Sequence, residues 1–261
     1  MKNIIDRPAR LADDESMADD GLTGYELADY NYVYFDEHVA KGNHEVDEAT
    51  FRASSHAGEP ASNASLVRLD DGARVELASL WTSKPLVIEF GSFTCPYCAA
   101  ESPLLDAAAV RHPEANWVFI YTREAHPGEL VRYHDSFERK LANARLLRDE
   151  LGIKRSILVD DLAGSVHREY GTMPKMIWII DRGGQVAYKA DWTSAANAEA
   201  FLVRFEAARA DRSRGVPTLY ETEQLEYRSV DRPEFCRRLA RGGPRAVTEF
   251  SKAMELWGEE G

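Results

Sequence analysis

The chain has 261 residues, of which 44% are hydrophobic and 29% are charged, and its formal net charge is −12. This length accommodates one full domain with extensions or two small domains, and the apolar content is sufficient for a core without disulfide bonds. The negative charge argues against a nucleic-acid partner, because phosphate binding requires clustered Lys and Arg.

The amino-terminal extension, residues 1–57, is acidic: the first 60 residues contain 14 acidic and 5 basic side chains. Within it, the segment 24–40 (GYELADYNYVYFDEHVA) has five aromatic residues in eleven positions, which are costly to expose to water. We therefore expect this aromatic arm to dock on its own domain or on a second subunit. The alternative is a disordered arm.

Residues 58–210 show regular alternation of strands and helices. The pattern predicts a hairpin turning at Asp71-Gly72, helices over 96–112, 134–152, 164–170 and 195–210, strands over 85–91, 117–122 and 156–160, and a second hairpin over 175–191. This order indicates an α/β fold with a mixed central sheet and helices on both faces. Residues 211–261 form a carboxy-terminal helical extension, with a polar linker and short helices around 233–240 and 246–257.

Two of the three cysteines lie together in VIEFGSFTCPYCAAESP, residues 87–103, where a strand passes into a helix. A thiolate at a helix amino terminus is stabilised by the peptide dipoles and unpaired N–H groups. Pro96 suits the first helical turn, and Cys98 shares a helical face with Cys95. We expect Cys95 to be an exposed nucleophile and Cys98 a buried resolving thiol.

Two other interpretations of the cysteine pair are a zinc site and a pair of inert thiols. A zinc site needs four ligands, and no second Cys or Cys-His pair has ligand spacing, so we predict neither a metal nor a cofactor. Inert thiols are common in cores, but the strand-to-helix position favours redox activity. The third cysteine, Cys236, is interpreted as a structural or incidental thiol.

Glu89 and His126 are further candidate site residues. Glu89 lies among apolar residues of the strand before Cys95, so we expect burial to raise its pKa and to let it accept the Cys98 proton. Alternatively, it faces a polar edge of the sheet. His126 follows the next buried strand, at the sheet edge where open α/β folds place their sites, although a loop histidine beside proline can simply face solvent.

The spacing C-P-Y-C at this junction resembles the thioredoxin superfamily, and Pro-Tyr is the dipeptide typical of glutaredoxins. The resemblance implies a thioredoxin-like three-layer fold, with Glu89 matching the buried acid six residues before the first cysteine. It also implies that Pro174, in GTMPKMIWIID, is the cis-proline that faces the active site.

PLVIEFGSFTCPYC and VFIYTREAHPGE, within residues 58–208, further resemble the iodothyronine deiodinases. That family shows N-F-G-S-x-T-(selenocysteine)-P-P and later Y-I-E-E-A-H, so Cys95 matches the selenocysteine and His126 the histidine. Glu89 replaces the family asparagine and Cys98 is an added thiol, which favours dithiol exchange. The resemblance also implies a homodimer. A peroxiredoxin pattern fits less well, because Ile88 stands where a proline is required.

These observations predict a thiol–disulfide oxidoreductase acting on a disulfide, peroxide or halogenated small molecule and recycled by an external thiol reductant. One alternative is reductive dehalogenation or peroxide reduction by Cys95 with His126 as proton donor. Another is a non-catalytic thioredoxin-like assembly module. With no secretory signal, no apolar run of ~18 residues and few cysteines, we expect a cytoplasmic protein that does not bind membranes.

Overall fold

Residues 27–211, 219–223 and 232–258 are described by the structure, a computed structural model. Within them, eight strands form one mixed sheet in the order β2–β1–β5–β4–β3–β6–β7–β8. The strands are β1 (Ser65–Arg68), β2 (Arg74–Glu76), β3 (Leu86–Gly91), β4 (Asn116–Tyr121), β5 (Ser156–Val159), β6 (Ile177–Ile180), β7 (Val186–Ala190) and β8 (Glu221–Glu223).

The centre of the sheet is parallel and its flanks are largely antiparallel. Strands β3, β4 and β5 run parallel, whereas β6 pairs antiparallel with both β3 and β7, and β1 pairs antiparallel with both β2 and β5. Every residue of β3 is buried, as expected for a central strand of a sheet that is covered on both faces. Strand β8 adds parallel to β7 within the region predicted as a polar linker.

The helices are α1 (Leu27–Tyr30), α2 (Phe35–Ala40), α3 (Asn43–Ala53), α4 (Pro96–Arg111), α5 (Phe137–Leu151), α6 (Ser165–Tyr170), α7 (Ala195–Ala210), α8 (Arg232–Leu239) and α9 (Pro244–Leu256). Helices α4, α5 and α7 cover one face of the sheet, and α3 and α6 cover the other. The predicted α/β fold of three layers, thioredoxin-like in architecture, is therefore confirmed. No helix in the described ranges is long and apolar enough to cross a bilayer.

The aromatic arm docks on its own domain. Asn31 Nδ2 donates to the Leu162 carbonyl (2.7 Å), and the Tyr32 hydroxyl donates to the Ala125 carbonyl (2.6 Å). The backbone N–H of Phe35 donates to Glu249 Oε2 in α9 (3.0 Å), so the arm also contacts α9. The prediction of docking is confirmed for residues 27–40, whereas residues 24–26 of the arm lie outside the described ranges.

Candidate active site

Cys95 and Cys98 lie where the central strand β3 passes into α4, as predicted. Cys95 occupies the position before the first helical residue, Pro96, and its carbonyl accepts the N–H of Cys98 (3.1 Å). Gly91 provides room for the second thiol, because a Cβ at that position would collide with Cys98 Sγ. Cys98 Sγ is therefore packed against the end of the central strand.

Both thiols are buried, so the expectation that Cys95 is exposed is wrong: its exposed fraction is 2%, and that of Cys98 is 0%. Cys95 packs in the apolar cluster between the sheet and α5, and α8 packs over the start of α4. The ring of Phe235 in α8 contacts that of Tyr97 (centroids 5.6 Å apart), and Arg238 Nη1 donates to the Pro96 carbonyl (3.5 Å). We call α8 and α9, residues 232–256, the carboxy-terminal cover.

The two thiols differ in acidity. Burial alone would raise the pKa of Cys95, but the Cys98 thiol, the Lys175 charge and the N–H groups of Cys98 and Tyr97 lower it below its usual value. Burial, together with the hydrogen bond to Cys95 and the charge of its thiolate, raises the pKa of Cys98 well above the ordinary value. The arrangement therefore favours a thiolate at Cys95 and a thiol at Cys98.

Glu89 is buried on the α4 face of the sheet, but its expected raised pKa is wrong. Burial would raise the pKa, yet the charges of Lys175 and Arg155 outweigh it and lower the pKa. Lys175 pairs with Oε1 and Arg155 Nη2 with Oε2 (2.6 Å), while the Ser102 hydroxyl also donates to Oε1 (2.6 Å). Glu89 is thus an ion-paired carboxylate, which is a weak base for the Cys98 proton.

Pro174 lies directly before Lys175, but the expected cis bond is absent. No cis peptide bond occurs in the described part of the chain, so the Met173–Pro174 bond is trans. Trans is the lower-energy state of X–Pro bonds by ≈ 0.5–1 kcal/mol. Hydrogen bonds hold both flanks in this arrangement: His167 Nε2 donates to the Met173 carbonyl (2.9 Å), and Thr193 N–H donates to the Lys175 carbonyl (3.1 Å).

His126 reaches the cysteine loop through its backbone, because its N–H donates to Thr94 Oγ1 (3.0 Å). Its ring packs between Phe35 of the arm and Phe250 of the cover, with centroids 4.4 and 5.5 Å away. Burial lowers the pKa of His126 to about 3, so the ring is neutral near pH 7. Its Nδ1 has no hydrogen-bond partner among the described residues.

Glu124, which the sequence analysis did not select, anchors the cysteine loop. Its Oε2 accepts both the N–H (3.0 Å) and the hydroxyl (2.7 Å) of Thr94, next to Cys95. Its Oε1 accepts from Tyr121, His134 Nε2 (3.1 Å) and Asn143 Nδ2 (3.2 Å). The E-A-H motif contained this signal, since its glutamate lies two residues before the chosen histidine.

Lys175 and Arg155 are the other missed residues. Both are buried and both contact Glu89, yet each occurs in the sequence at the edge of an apolar strand, where a cation ordinarily faces solvent. Glu89 itself could have indicated such residues, because a buried carboxylate requires cationic or hydrogen-bonding partners.

A mixed sheet with a parallel centre and a C-P-Y-C pair between the central strand and its helix define a thioredoxin-like protein. Within this class, the family model of iodothyronine deiodinase matches residues 28–198, well over half of the chain. The chain therefore belongs to the iodothyronine deiodinase family. No curated protein matches it at a significant level.

Among solved structures, the chain is similar to a putative protein disulfide isomerase from Bacteroides thetaiotaomicron, with 17% identity, a TM-score of 0.47, and coverage of 63% of this chain and 99% of that one. It is also similar to a putative thiol:disulfide interchange protein DsbE from Chlorobium tepidum, with 18% identity, a TM-score of 0.47, and coverage of 59% of this chain and 98% of that one. A third similar structure is a secreted disulfide oxidoreductase from Mycobacterium tuberculosis, homologous to E. coli DsbE. Its identity is 20% and its TM-score is 0.43, with coverage of 54% of this chain and 95% of that one. The fold assignment stands on the strand order and the family match.

Proposed function

We propose that the protein is a thiol–disulfide oxidoreductase that uses Cys95 as nucleophile and Cys98 as resolving thiol. The observation that carries this proposal is the position of two thiols three residues apart at the junction of β3 and α4, with Cys95 directly before the first helical residue. The lowered pKa of Cys95 and the raised pKa of Cys98 support it. Only the thiolate attacks a disulfide efficiently, so the pair has a preferred order of action.

In the proposed reaction, the Cys95 thiolate attacks one sulfur of the substrate disulfide and releases the other as a thiolate, which takes a proton from solvent. Cys98 then attacks Cys95 Sγ, releasing the second substrate thiolate, to which the Cys98 proton passes. The enzyme gains one disulfide and the substrate gains two electrons. An external dithiol or two monothiols reduce the Cys95–Cys98 disulfide and complete the cycle.

The remaining site residues take supporting roles in this proposal. Glu89 fixes the charges beneath the sulfurs, and Pro174 positions the chain before Lys175. His126 contributes its N–H to the Thr94 hydroxyl, which also donates to Glu124. Because Cys95 is buried under the cover, substrate reaches its sulfur when α8 moves away from Tyr97.

A second candidate, reductive dehalogenation, is favoured by the family match. Here the Cys95 thiolate attacks the iodine of an aryl iodide, forming a sulfenyl iodide while the aryl carbon takes a proton. Cys98 then displaces iodide and closes the disulfide, releasing its proton. The neutral ring of His126 is a weak proton source near pH 7, which favours disulfide exchange as the main proposal.

The proposal is tested by titrating thiols before and after mild oxidation in three proteins that all carry Cys236→Ser: the otherwise unchanged chain, Cys95→Ser and Cys98→Ser. We expect oxidation to remove two thiols from the first protein and to form no intramolecular disulfide in the other two. The reduced proteins are then offered insulin-type disulfides, hydroperoxides and iodinated phenols in parallel.

Turnover of disulfides that requires both cysteines supports the proposal. Turnover of iodinated phenols alone replaces it with dehalogenation, and turnover of hydroperoxides alone replaces it with peroxide reduction. If no Cys95–Cys98 disulfide forms and Cys95 titrates near ~8.5, the ordinary value, the proposal is overturned in favour of a non-catalytic module.

A further inference from the structure

The two cysteines lie above a cluster of buried charges. Glu89 and Lys175 are fully buried, and the side chain of Arg155 is 3% exposed. Arg155 also pairs with Asp106, so two cations face two carboxylates in this cluster. A buried charge is unfavourable unless an opposite charge lies nearby. A thiolate beside this cluster therefore depends on how near it lies to one of the two cations.

The hydrogen bonds of Arg155 to described residues go to groups other than the sulfurs, and its Nη1 has no partner among them. Its Nη2 donates to Glu89 Oε2 (2.6 Å) and to the Ser102 carbonyl (3.2 Å), and its Nε donates to Asp106 Oδ1 (2.6 Å). The side chain of Asp106 is 14% exposed and balances Arg155 at the edge of the core. Lys175 also pairs with Glu89, and it is the cation whose charge acts on the pKa of both cysteines.

The sheet register places Lys175 beside the sulfurs. Strand β3 pairs antiparallel with β6 at Glu89 and Ile177, and the Phe90 N–H donates to the Met176 carbonyl (2.9 Å). Continuing this register brings Lys175 opposite Gly91, the residue that leaves room for Cys98 Sγ. Alternation along β6 puts the Lys175 side chain on the same face as Glu89, with which it pairs.

We propose that Lys175 is a positioning residue that holds Cys95 as a thiolate and biases the Cys95–Cys98 pair toward its reduced form. This inference rests on the proposed dithiol function. Oxidation converts one thiolate and one thiol into a neutral disulfide, releasing two electrons and the Cys98 proton. The electrons and proton, with one further proton from solvent, convert a disulfide oxidant into two thiols. Oxidation therefore removes the thiolate that the charge of Lys175 stabilises.

The groups that face Lys175 and the two sulfurs come from several elements. They are Glu89 from β3, Cys95 and Cys98 from the start of α4, and Arg155 from the segment before β5. Among these groups, Lys175 is the cation whose charge acts on both sulfurs. Arg155 instead pairs with Glu89 and Asp106.

The experiment measures alkylation of Cys95 by iodoacetamide against pH, and the equilibrium of the pair with glutathione, both in the Cys236→Ser background. In Lys175→Met we expect the alkylation midpoint to rise by about one pH unit or more, which is a tenfold loss of thiolate below the midpoint. We also expect the equilibrium to move about tenfold toward the disulfide, equivalent to ~30 mV in a two-electron couple.

Matched variants separate charge from packing. Lys175→Arg keeps the positive charge, so its alkylation midpoint and its equilibrium with glutathione should lie close to the parent values. Lys175→Gln keeps a hydrogen-bond donor for Glu89 but loses the charge, so it should behave like Lys175→Met. Lys189→Met is the control, since Lys189 is also buried but bonds the Phe51 carbonyl (2.8 Å) on the opposite face of the sheet. It should leave both measurements unchanged.

The inference is overturned if Lys175→Met or Lys175→Gln folds and keeps the parent's thiolate fraction of Cys95 and its equilibrium constant with glutathione, each within twofold. It is also overturned if Lys189→Met shifts them equally. Should Lys175→Met fail to fold, Lys175→Gln and Lys175→Arg decide the outcome. The two readouts separate this inference from the proposed function. If the parent protein forms no disulfide, the proposed function is refuted. The alkylation midpoint of Cys95 still tests Lys175 in that case, because it is measured on the reduced protein.

Discussion

Replacement of Phe235 by alanine tests whether the carboxy-terminal cover controls access to Cys95. Phe235 is the aromatic contact between α8 and Tyr97, with ring centroids 5.6 Å apart, and it also contacts Phe250 of α9 at 5.0 Å. Each such ring pair is worth ≈ 0.5–1.5 kcal/mol beyond area burial. Losing both should favour opening of α8 by about 1–3 kcal/mol, or about 5- to 150-fold.

The assay is the rate at which iodoacetamide alkylates Cys95 in the reduced protein, read by mass spectrometry. It uses a Cys236→Ser background, because Cys236 is exposed on α8 and would compete. The rate is measured from pH 5 to 10, so that access and acidity are separated. A change in access multiplies the rate at every pH, whereas a change in the pKa of Cys95 moves the midpoint.

Leu256→Ala is the matched control, because Leu256 lies at the end of α9 and is 57% exposed. It should leave the alkylation rate of Cys95 unchanged. If Phe235→Ala also leaves the rate unchanged while the protein stays folded, reagent reaches Cys95 without displacing α8. The cover would then have no part in access, and the route to the sulfur would have to be sought elsewhere.

Three further predictions follow from the packing and charges of the site. Gly91→Ala should slow closure of the disulfide and lower the unfolding free energy by ~1–3 kcal/mol, measured in urea, because its Cβ collides with Cys98 Sγ. Glu124→Gln should cost ~3–5 kcal/mol in the same assay, since it leaves buried donors without their carboxylate; an effect below 1 kcal/mol would contradict the anchoring role. Burial lowers the pKa values of His126 and His167 to about 3. Their contribution to the unfolding free energy is therefore complete above pH ~6.5, the value in the unfolded chain. It falls between pH ~6.5 and about 3, by up to ~1.4 kcal/mol per pH unit and ring. Proton uptake on unfolding at pH 5 measures this slope, and His126→Leu should reduce it.

Local sequence signals located most of the sheet domain because they depend on neighbouring residues. The Asp71-Gly72 turn lies between β1 and β2, and Gly152 ends α5 with a φ of 64°, a left-handed conformation that glycine adopts without strain. Pro96 begins α4, as its missing N–H suggests. By contrast, β8 has three polar residues, and only pairing with β7 makes it a strand.

The chemistry of the site was harder to predict, because it depends on contacts between residues far apart in the chain. The packing of α8 against Tyr97 joins residues more than 130 positions apart, and a local pattern carries no information about that contact. The lowered pKa of Glu89 has the same origin. Burial of Glu89 was inferred correctly, but the sign of its pKa shift depended on Lys175 and Arg155, which approach from the segments before β6 and β5.

Two departures from the deiodinase pattern, Glu89 and Cys95, are physically connected. A carboxylate at position 89 in place of asparagine is stable inside the sheet only with cations, and Lys175 and Arg155 supply them. The charge of Lys175 also lowers the pKa of Cys95, which stands where the family has selenocysteine. A selenol ionises more readily than a thiol, so a cysteine at this position gains more from a neighbouring cation than a selenocysteine does. On the proposed role of Lys175, the carboxylate at position 89 keeps that cation inside the sheet, where it acts on the thiol.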